Sequence, residues 1–352
     1  MKEIGKIKLI NHIFSTITPQ QSVFICTGEP SGDLYASLFV KYYLRHNKNI
    51  FAVGGENLRN TNVRLLYNYK NLKTFGFTSG ILSFIKNYLM YRKIGRAIFK
   101  IKPDIFIPVA YPGVNLLLCR YAKRLGSRVI YILPPQIWAW GYYRKYFIKK
   151  WVDLVVSVFP FEYRFYISKN IETRYWKNPL FNELKKYKKK EPSNYIGFMP
   201  GSRISEIKRN IPVIVELIKN SKELENFKFM FIIHPDFAKT TLFNRLVPEK
   251  LKNKIKMVIA ERYVEMAKCK LIFTCSGTAS LETTIMDIPQ IFFNRPGFLD
   301  YHFFRYLLKI KEYNLSNLYY EKRVVPSFVS RNKKQLVKLL LFELYKFLSN
   351  EQ

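Results

Sequence analysis

Short apolar runs separated by helix-length amphipathic segments recur along the chain, and they constrain its fold more than any other feature. In the first half the runs cover residues 23–26, 50–53, 105–109, 128–133 and 154–158. Continuous apolar runs of this length are typical of parallel strands that are covered on both faces. The pattern therefore predicts an α/β fold built on a doubly wound parallel sheet.

The same alternation restarts after a basic stretch with several prolines, residues 178–192. Further apolar runs cover residues 195–199, 227–233, 256–259, 271–274 and 290–293, and residues 334–348 have the pattern of an amphipathic helix. We therefore predict three parts, namely a first Rossmann-like domain over 1–180, a second over 181–330 and a C-terminal helix over 331–352. Two such domains place ligands at the carboxyl ends of their strands, in a cleft between them.

Two turns in the second half carry small and polar residues where a phosphate site is expected. They are Met199-Pro200-Gly201-Ser202-Arg203 and Cys275-Ser276-Gly277-Thr278-Ala279-Ser280-Leu281-Glu282. Free N–H groups and the positive end of the dipole at the start of a helix favour an anion. Arg203 adds a planar cation for phosphate oxygens, and Glu282 offers a carboxylate to ribose hydroxyls. Either turn alone also fits an ordinary strand-to-helix connection, but together they predict the two halves of a nucleotide-sugar diphosphate site.

The first half has its own polar loop, Thr27-Gly28-Glu29-Pro30-Ser31-Gly32-Asp33, directly after the first strand. Gly28 and Gly32 allow close backbone approach to a ligand, and Ser31 or Asp33 fits the cap of the helix that follows. Glu29 lies where a general base would face the cleft, although a solvated loop glutamate fits equally well.

Two tryptophans, Trp138 and Trp140, follow the fourth predicted strand directly. Because such a loop faces the cleft, they are candidates for stacking on a sugar or contacting an acyl chain, and a domain-interface core is the alternative.

Charge is the unusual part of the composition, with 59 Lys and Arg against 25 Asp and Glu, a formal net charge of +34. Such an excess favours an anionic partner, either a nucleic acid or an anionic membrane surface. Residues 75–101 are both apolar and basic, as an interfacial helix requires, and a core helix with snorkelling Lys and Arg is the alternative.

Metal, cofactor and targeting signals are weak. The four cysteines form no C-x-x-C pair, and the four histidines show no ligand spacing, so we expect neither a metal nor a cofactor. The first twenty residues do not read as a signal peptide, and no run of 18 apolar residues predicts a spanning helix.

A series of ordered motifs extends across residues 22–330. They are Gly28–Asp33, Val53-Gly54-Gly55, 134–140, Phe159-Pro160-Phe161-Glu162, Asn178-Pro179-Leu180, Met199–Arg203 with Glu206, Ser276–Ala279 with Glu282, and Ser316-Asn317-Leu318. Together they resemble the lipid-A-disaccharide synthase family. The resemblance implies a GT-B fold and an inverting transfer from a UDP-linked acyl-glucosamine donor to an acylated glucosamine phosphate acceptor. It places Arg203, Thr278, Glu282 and Asn317 in the donor site.

The resemblance also implies work at the cytoplasmic face of the inner membrane, because both substrates are acylated. The basic residues would then contact an anionic membrane surface. Formation of a homodimer is left open as a separate expectation. No Asp-x-Asp occurs in the chain, which favours a transfer without a metal ion, with Arg203 and helix N-termini in its place.

The chain departs from the family pattern in the acceptor half. After the third strand the family usually carries Asp in Ile-Asp-x-Pro-Asp-Phe-Asn, and its first Asp is the favoured base. Here the sequence is Val109-Ala110-Tyr111-Pro112-Gly113-Val114-Asn115, which keeps Pro112 and the candidate binding residue Asn115 but loses both carboxylates. Because alanine accepts no proton, Glu29 is our first candidate for the base and Asp33 our second.

Three alternatives stay open at this stage. Another GT-B enzyme with a different lipid or glycan acceptor, or a nucleotide-sugar epimerase, would keep the donor half. A relative without catalytic activity would bind only a UDP-sugar or a membrane. A nucleic-acid module is disfavoured, because the chain has no helix-turn-helix, RNA-recognition or zinc-finger motif.

Overall fold

The computed structural model describes residues 17–72, 81–139, 141–188, 193–201, 203–233, 241–298, 301, 312 and 314–350, with the side chains of 71, 72 and 81–87 left out. The chain divides into two compact units, Met1–Pro179 and Leu180–Gln352. Each unit is a parallel α/β sheet with its own core, as the apolar runs predict.

The first unit contains a seven-stranded sheet in the order β3-β2-β1-β4-β5-β6-β7. Its strands are β1 (Val23–Thr27), β2 (Ile50–Gly54), β3 (Arg64–Asn68), β4 (Ile105–Val109), β5 (Arg128–Ile132), β6 (Leu154–Ser157) and β7 (Thr173–Tyr175). Its helices are α1 (Pro30–Phe39), α2 (Glu56–Arg59), α3 (Tyr69–Leu72), α4 (Ile81–Ile101), α5 (Pro112–Arg124), α6 (Arg144–Trp151) and α7 (Pro160–Ser168), and a π-helical turn covers Val40–Leu44.

The second unit contains a six-stranded sheet in the order β10-β9-β8-β11-β12-β13. Its strands are β8 (Tyr195–Met199), β9 (Lys228–Ile232), β10 (Ile255–Val258), β11 (Cys269–Thr274), β12 (Gln290–Asn294) and β13 (Ser327–Val329). Its helices are α8 (Leu180–Leu184), α9 (Ile204–Lys219), α10 (Leu242–Leu246), α11 (Glu249–Lys252), α12 (Arg262–Met266), α13 (Gly277–Ile285), α14 (Leu315–Tyr320) and α15 (Lys333–Ser349), with 3₁₀ turns at Lys185–Tyr187 and Glu223–Asn226.

Both sheets reverse their strand order at one point, as Rossmann sheets do. In the first sheet β1 lies between β2 and β4, and in the second β8 lies between β9 and β11. Loops that follow these central strands diverge to opposite faces and leave room for a ligand at the carboxyl edge. The fold therefore gives each unit one natural binding edge.

The central strands are fully buried, which explains why their sequences are almost continuously apolar. All five residues of β1 and of β4 are buried, and Phe198, Phe231 and Phe273 pack together at the centre of the second sheet. All four cysteines are buried free thiols. Among the described residues, no helix is both long enough and apolar enough to cross a bilayer.

Candidate active site

The two polar turns of the second unit lie side by side at the switch point of its sheet. They follow β8 and β11, which pair in parallel with Met199 opposite Thr274. The Cys275 N–H donates to the Met199 carbonyl oxygen at 3.1 Å and joins the two turns directly. The helices α9 and α13 therefore begin at the same edge of the sheet, as an anion site built from both requires.

The turn before α9 is held by Glu206. Its Oε2 accepts the Arg203 N–H at 3.3 Å and its Oε1 accepts Arg203 Nη1 at 3.2 Å. Gly201 has a φ of +126°, where a side chain would be strained. Glu206, a predicted substrate contact, is thus a capping residue that orients Arg203, whose side chain remains 56% exposed. Ser202 lies outside the described residues.

The turn before α13 is closed by Ser276, whose Oγ accepts the Ala279 N–H at 3.4 Å. Gly277 packs closely on α14, because a Cβ there would lie 3.2 Å from the Leu315 Cβ. Thr278 is half-buried in the first turn. The structure therefore gives Ser276, Gly277 and Ala279 clear roles in shaping the start of the helix.

Glu282 is fully buried in α13, and one of its two oxygens is already engaged. Oε1 accepts Arg262 Nη2 at 2.6 Å and the Tyr263 hydroxyl at 2.9 Å. No donor among the described residues reaches the buried Oε2. Since a buried carboxylate oxygen normally has a partner, Oε2 is suited to accept a ligand hydroxyl. Arg262 and Tyr263, which no sequence pattern singled out, hold it in position.

Asn317, a predicted donor contact, has its amide group used by the fold. Its Nδ2 donates to Glu312 Oε2 and to the Val325 carbonyl oxygen, both at 2.9 Å. Its Oδ1 accepts the N–H groups of Val324 and Val325 at 2.9 and 2.8 Å. An amide offers two donors and two acceptor positions, so none is left for a substrate. We therefore correct the role of Asn317 to a structural one: it holds the segment that leads into β13.

In the first unit, two loops meet at the switch point between β1 and β4. A Cβ on Gly28 would lie 2.5 Å from the Tyr111 ring, and one on Gly32 would lie 2.2 Å from Thr27 Oγ1. Internal packing therefore requires a glycine at both positions, and their predicted contact with a ligand stays a prediction. Ala110 and Tyr111 both have left-handed φ values, 51° and 48°, at the point where the family usually carries its acid.

Glu29 and Asp33 have different environments. Glu29 is half-buried and accepts Ser31 Oγ at 3.1 Å. Asp33 is buried and accepts the N–H groups of Gly55 at 2.6 Å and Asn57 at 2.9 Å, so it caps α2. Burial raises the pKa of the Asp33 carboxyl, against the lowering effect of these donors. The prediction that Ser31 or Asp33 caps α1 is wrong, because the N-cap of α1 is Glu29 and it makes no side-chain cap.

Asn115 shapes the turn that contains Ala110. Its buried Nδ2 donates to the carbonyl oxygens of Cys26 at 3.1 Å and Ala110 at 2.9 Å, and the Tyr131 hydroxyl also donates to Ala110 at 2.8 Å. Its NH₂ group is therefore used by the fold, whereas its buried Oδ1 has no hydrogen-bond partner among the described residues, so the predicted contact of Asn115 with a substrate stays a prediction. Tyr111, which the sequence did not single out, lies over Gly28, and burial raises the pKa of its hydroxyl to about 12.

Trp138 is held by a buried carboxylate. Its Nε1 donates to Glu162 Oε1 at 3.3 Å, while Ser157 Oγ donates to Glu162 Oε2 at 2.8 Å. The Trp138 ring meets Phe161 edge to face with centroids 5.0 Å apart. Trp138 is thus anchored and half-buried, whereas Trp140 lies outside the described residues.

Glu162 gives the first testable consequence, a pH-dependent stability. Burial raises its pKa from 4.5 to about 7, although bonds from Ser157 and Trp138 lower it. The folded chain keeps this proton up to higher pH than the unfolded chain, so stability falls as pH rises through that window. Between pH 4 and 8, we expect the unfolding free energy of the native chain to fall by about 3 kcal/mol more than that of Glu162→Gln.

Chemical unfolding at several pH values measures this effect. Glu249→Gln is the matched control, since that side chain is 85% exposed. An unchanged pH slope in Glu162→Gln would show that the buried carboxyl does not titrate in this range.

Two Rossmann-type sheets, each with polar loops at its switch point, define a protein of the GT-B fold class. Solved structures agree on the fold. UDP-GlcNAc 2-epimerase of Methanocaldococcus jannaschii, in complex with UDP-GlcNAc and UDP, is 17% identical with a TM-score of 0.60 and covers 92% of each chain. The epimerase of Neisseria meningitidis is 13% identical with a TM-score of 0.55 and covers 92% of this chain and 99% of its own.

Sequence comparison is more specific than the fold. The family model described as lipid-A-disaccharide synthetase matches residues 23–352. Lipid-A-disaccharide synthase 1 of Legionella pneumophila (strain Paris) is 32% identical over 93% of this chain and 87% of its own length. The lipid-A-disaccharide synthase of Geobacter metallireducens is 30% identical over 88% and 84%. The chain belongs to the lipid-A-disaccharide synthase family.

Proposed function

We propose that the chain transfers 2,3-diacylglucosamine from UDP-2,3-diacylglucosamine to 2,3-diacylglucosamine 1-phosphate, giving a β-1,6-linked disaccharide 1-phosphate and UDP. The observation that carries this proposal is family membership over residues 23–352. The paired turns at the switch point between β8 and β11 support it independently, because they provide a diphosphate site.

The two units take different substrates in this proposal. The second unit holds the UDP moiety, with the diphosphate at the starts of α9 and α13 and the ribose at Glu282. The first unit receives the acylated acceptor at its own switch point, near Glu29 and Trp138. The C-terminal helix α15 packs on α9.

The chemistry is an inverting displacement without a metal ion. The acceptor 6-hydroxyl oxygen forms a bond to the anomeric carbon, the bond from that carbon to the diphosphate oxygen breaks, and the hydroxyl proton passes to a base. Charge develops on the departing UDP, where Arg203 and two helix N-termini would stabilise it. Glu29 is the base we favour, since Asp33 is occupied as a cap of α2.

We place this reaction on the cytoplasmic face of the inner membrane, because both substrates are acylated. The excess of Lys and Arg supports an anionic surface as partner. A homodimer is a separate proposal, and sedimentation equilibrium of the purified chain tests it.

A second candidate is a GT-B transferase with a different lipid or glycan acceptor. The observation that favours it is the loss of both family carboxylates, at Ala110 and Gly113. It predicts UDP binding without disaccharide formation, and an acceptor screen with the UDP-linked donor distinguishes it.

The donor half is tested by comparing UDP with 2′-deoxy-UDP. If Glu282 Oε2 accepts a ribose hydroxyl, calorimetry in the presence of EDTA should show that UDP binds roughly 10- to 100-fold more tightly than 2′-deoxy-UDP. Glu282→Gln should lose most of this preference, whereas Glu265→Gln, a carboxylate paired with Lys256 and Lys268, should keep it. Equal affinity of the native chain for both nucleotides would remove Glu282 from the ribose site.

The stereochemistry is tested by NMR of the disaccharide formed in detergent micelles with EDTA. A β-anomeric product supports inversion without a metal ion. An α-anomeric product, or product that appears only after a divalent cation is added, would contradict it.

A further inference from the structure

Three helices of the first unit, α4, α5 and α6, lie side by side on one face of its sheet. α5 packs against both α4 and α6, and all three contribute to one hydrophobic cluster through residues such as Ile94, Leu118 and Ile148. The Tyr121 ring lies near Gly95 of α4, and Arg120 lies over the Trp151 ring of α6 at 5.7 Å. We name their solvent-facing side the basic layer.

The three helices of the basic layer carry charge of one sign only. The three helices contain five, three and four Lys or Arg residues, and none contains Asp or Glu. By contrast, α9 and α15 of the second unit include Glu206, Glu216 and Glu343 among their cations. The nearest acid in sequence, Asp153, follows α6 and pairs with Lys123. The positive charge is thus concentrated on this face.

Large apolar side chains stand exposed among these cations. Leu89 of α4 is 58% exposed, Leu117 of α5 is 48% exposed and Tyr146 of α6 is 64% exposed. Tyr143, just before α6, and Phe147 within it are also exposed, and Phe147 stacks on the half-buried Trp151 with centroids 4.8 Å apart. Exposed apolar groups that span three adjacent helices mark an interaction surface rather than isolated surface residues.

We propose that the basic layer is the surface with which the chain docks on an anionic lipid bilayer, with α5 and α6 contributing as well as α4. Aliphatic side chains such as Leu89 and Leu117 can enter the acyl boundary, tyrosines suit the head-group region, and Lys and Arg meet lipid phosphates. A nucleic acid would use the cations but not the exposed leucines, so a bilayer fits the surface better. This inference rests on the membrane location in the proposed function and names the residues responsible.

Vesicle co-sedimentation tests the proposal. The probe is phosphatidylglycerol–phosphatidylcholine vesicles, without sugar substrates. We expect Lys149→Gln with Lys150→Gln to weaken binding by roughly tenfold or more, and Leu117→Ser with Tyr146→Ser by about tenfold. Both double variants should bind neutral vesicles more weakly than anionic vesicles.

Matched controls lie on α15. Phe342→Ser removes a side chain that is 68% exposed, and Lys334→Gln with Lys338→Gln removes two surface charges. These variants should bind vesicles like the native chain. Circular dichroism and UDP affinity of every variant establish that the chains are folded.

Four results would overturn the inference. The first is native vesicle affinity in either α5–α6 variant, and the second is an equal loss of vesicle affinity in the α15 controls. The third is an α5–α6 variant that loses binding to a short RNA duplex while its vesicle binding is unchanged. The fourth is an α5–α6 variant that changes from dimer to monomer while its vesicle binding is unchanged. Failure of sugar transfer in micelles would instead contradict the proposed function and leave the vesicle result standing.

Discussion

Replacing Arg203 with alanine is expected to lower kcat/KM for sugar transfer by about two to three orders of magnitude. The guanidinium is held by Glu206 at 3.2 Å at the start of α9, beside the turn that opens α13. In the proposed reaction it would lie where the departing diphosphate gains charge. Steady-state kinetics in micelles, together with UDP calorimetry, measures the loss.

The conservative change Arg203→Lys separates charge from geometry. It keeps the cation and loses the planar pair of donors, so we expect an intermediate loss. Arg245→Ala, an exposed arginine of α10 in the same unit, is the matched control and should be as active as the native chain. Native kinetics in Arg203→Ala would show that the diphosphate is bound elsewhere.

Replacing Glu29 with glutamine is expected to lower kcat by about two to four orders of magnitude, with little change in UDP affinity. Glutamine keeps the size and the bond from Ser31 but cannot accept the acceptor proton. The loop of Glu29 follows β1, next to the turn at Ala110 where the family usually carries its acid. Single-turnover kinetics with saturating donor measures the chemical step.

A second variant makes this prediction sharper. Ala110 already has a left-handed φ of 51°, a conformation that Asp tolerates better than most residues. Ala110→Asp added to Glu29→Gln should therefore recover activity by about tenfold or more. Glu56→Gln, an exposed carboxylate of α2, is the control that should leave kcat unchanged. Full activity in Glu29→Gln would remove Glu29 as the base.

The central strands were predictable from the sequence for a physical reason. Parallel strands at the middle of a sheet are covered on both faces, so β1, β4, β8 and β11 are almost continuously apolar. The edge strands β3, β7 and β13 were not predicted, because β3 is only half-buried and the other two have three residues each. A short or half-buried strand does not differ enough from a loop in its composition.

The site was predictable only where neighbours in sequence determine it. Ser276 caps its own helix, and Arg203 lies at the start of α9, as turn patterns indicate. The partners of Asp33, Glu282 and Asn317 lie at least 22, 19 and 5 residues away, so the fold decides whether each side chain is used internally or left to a ligand. The sequence pattern alone contains no signal for that difference.

The most direct test of the central claim is disaccharide formation, measured by mass spectrometry. The purified chain is incubated with UDP-2,3-diacylglucosamine and 2,3-diacylglucosamine 1-phosphate in detergent micelles with EDTA, beside Arg203→Ala and Glu29→Gln. We predict disaccharide 1-phosphate and an equal amount of UDP from the native chain, and strongly reduced product from both variants. UDP binding without any disaccharide from the native chain would contradict the proposed transfer.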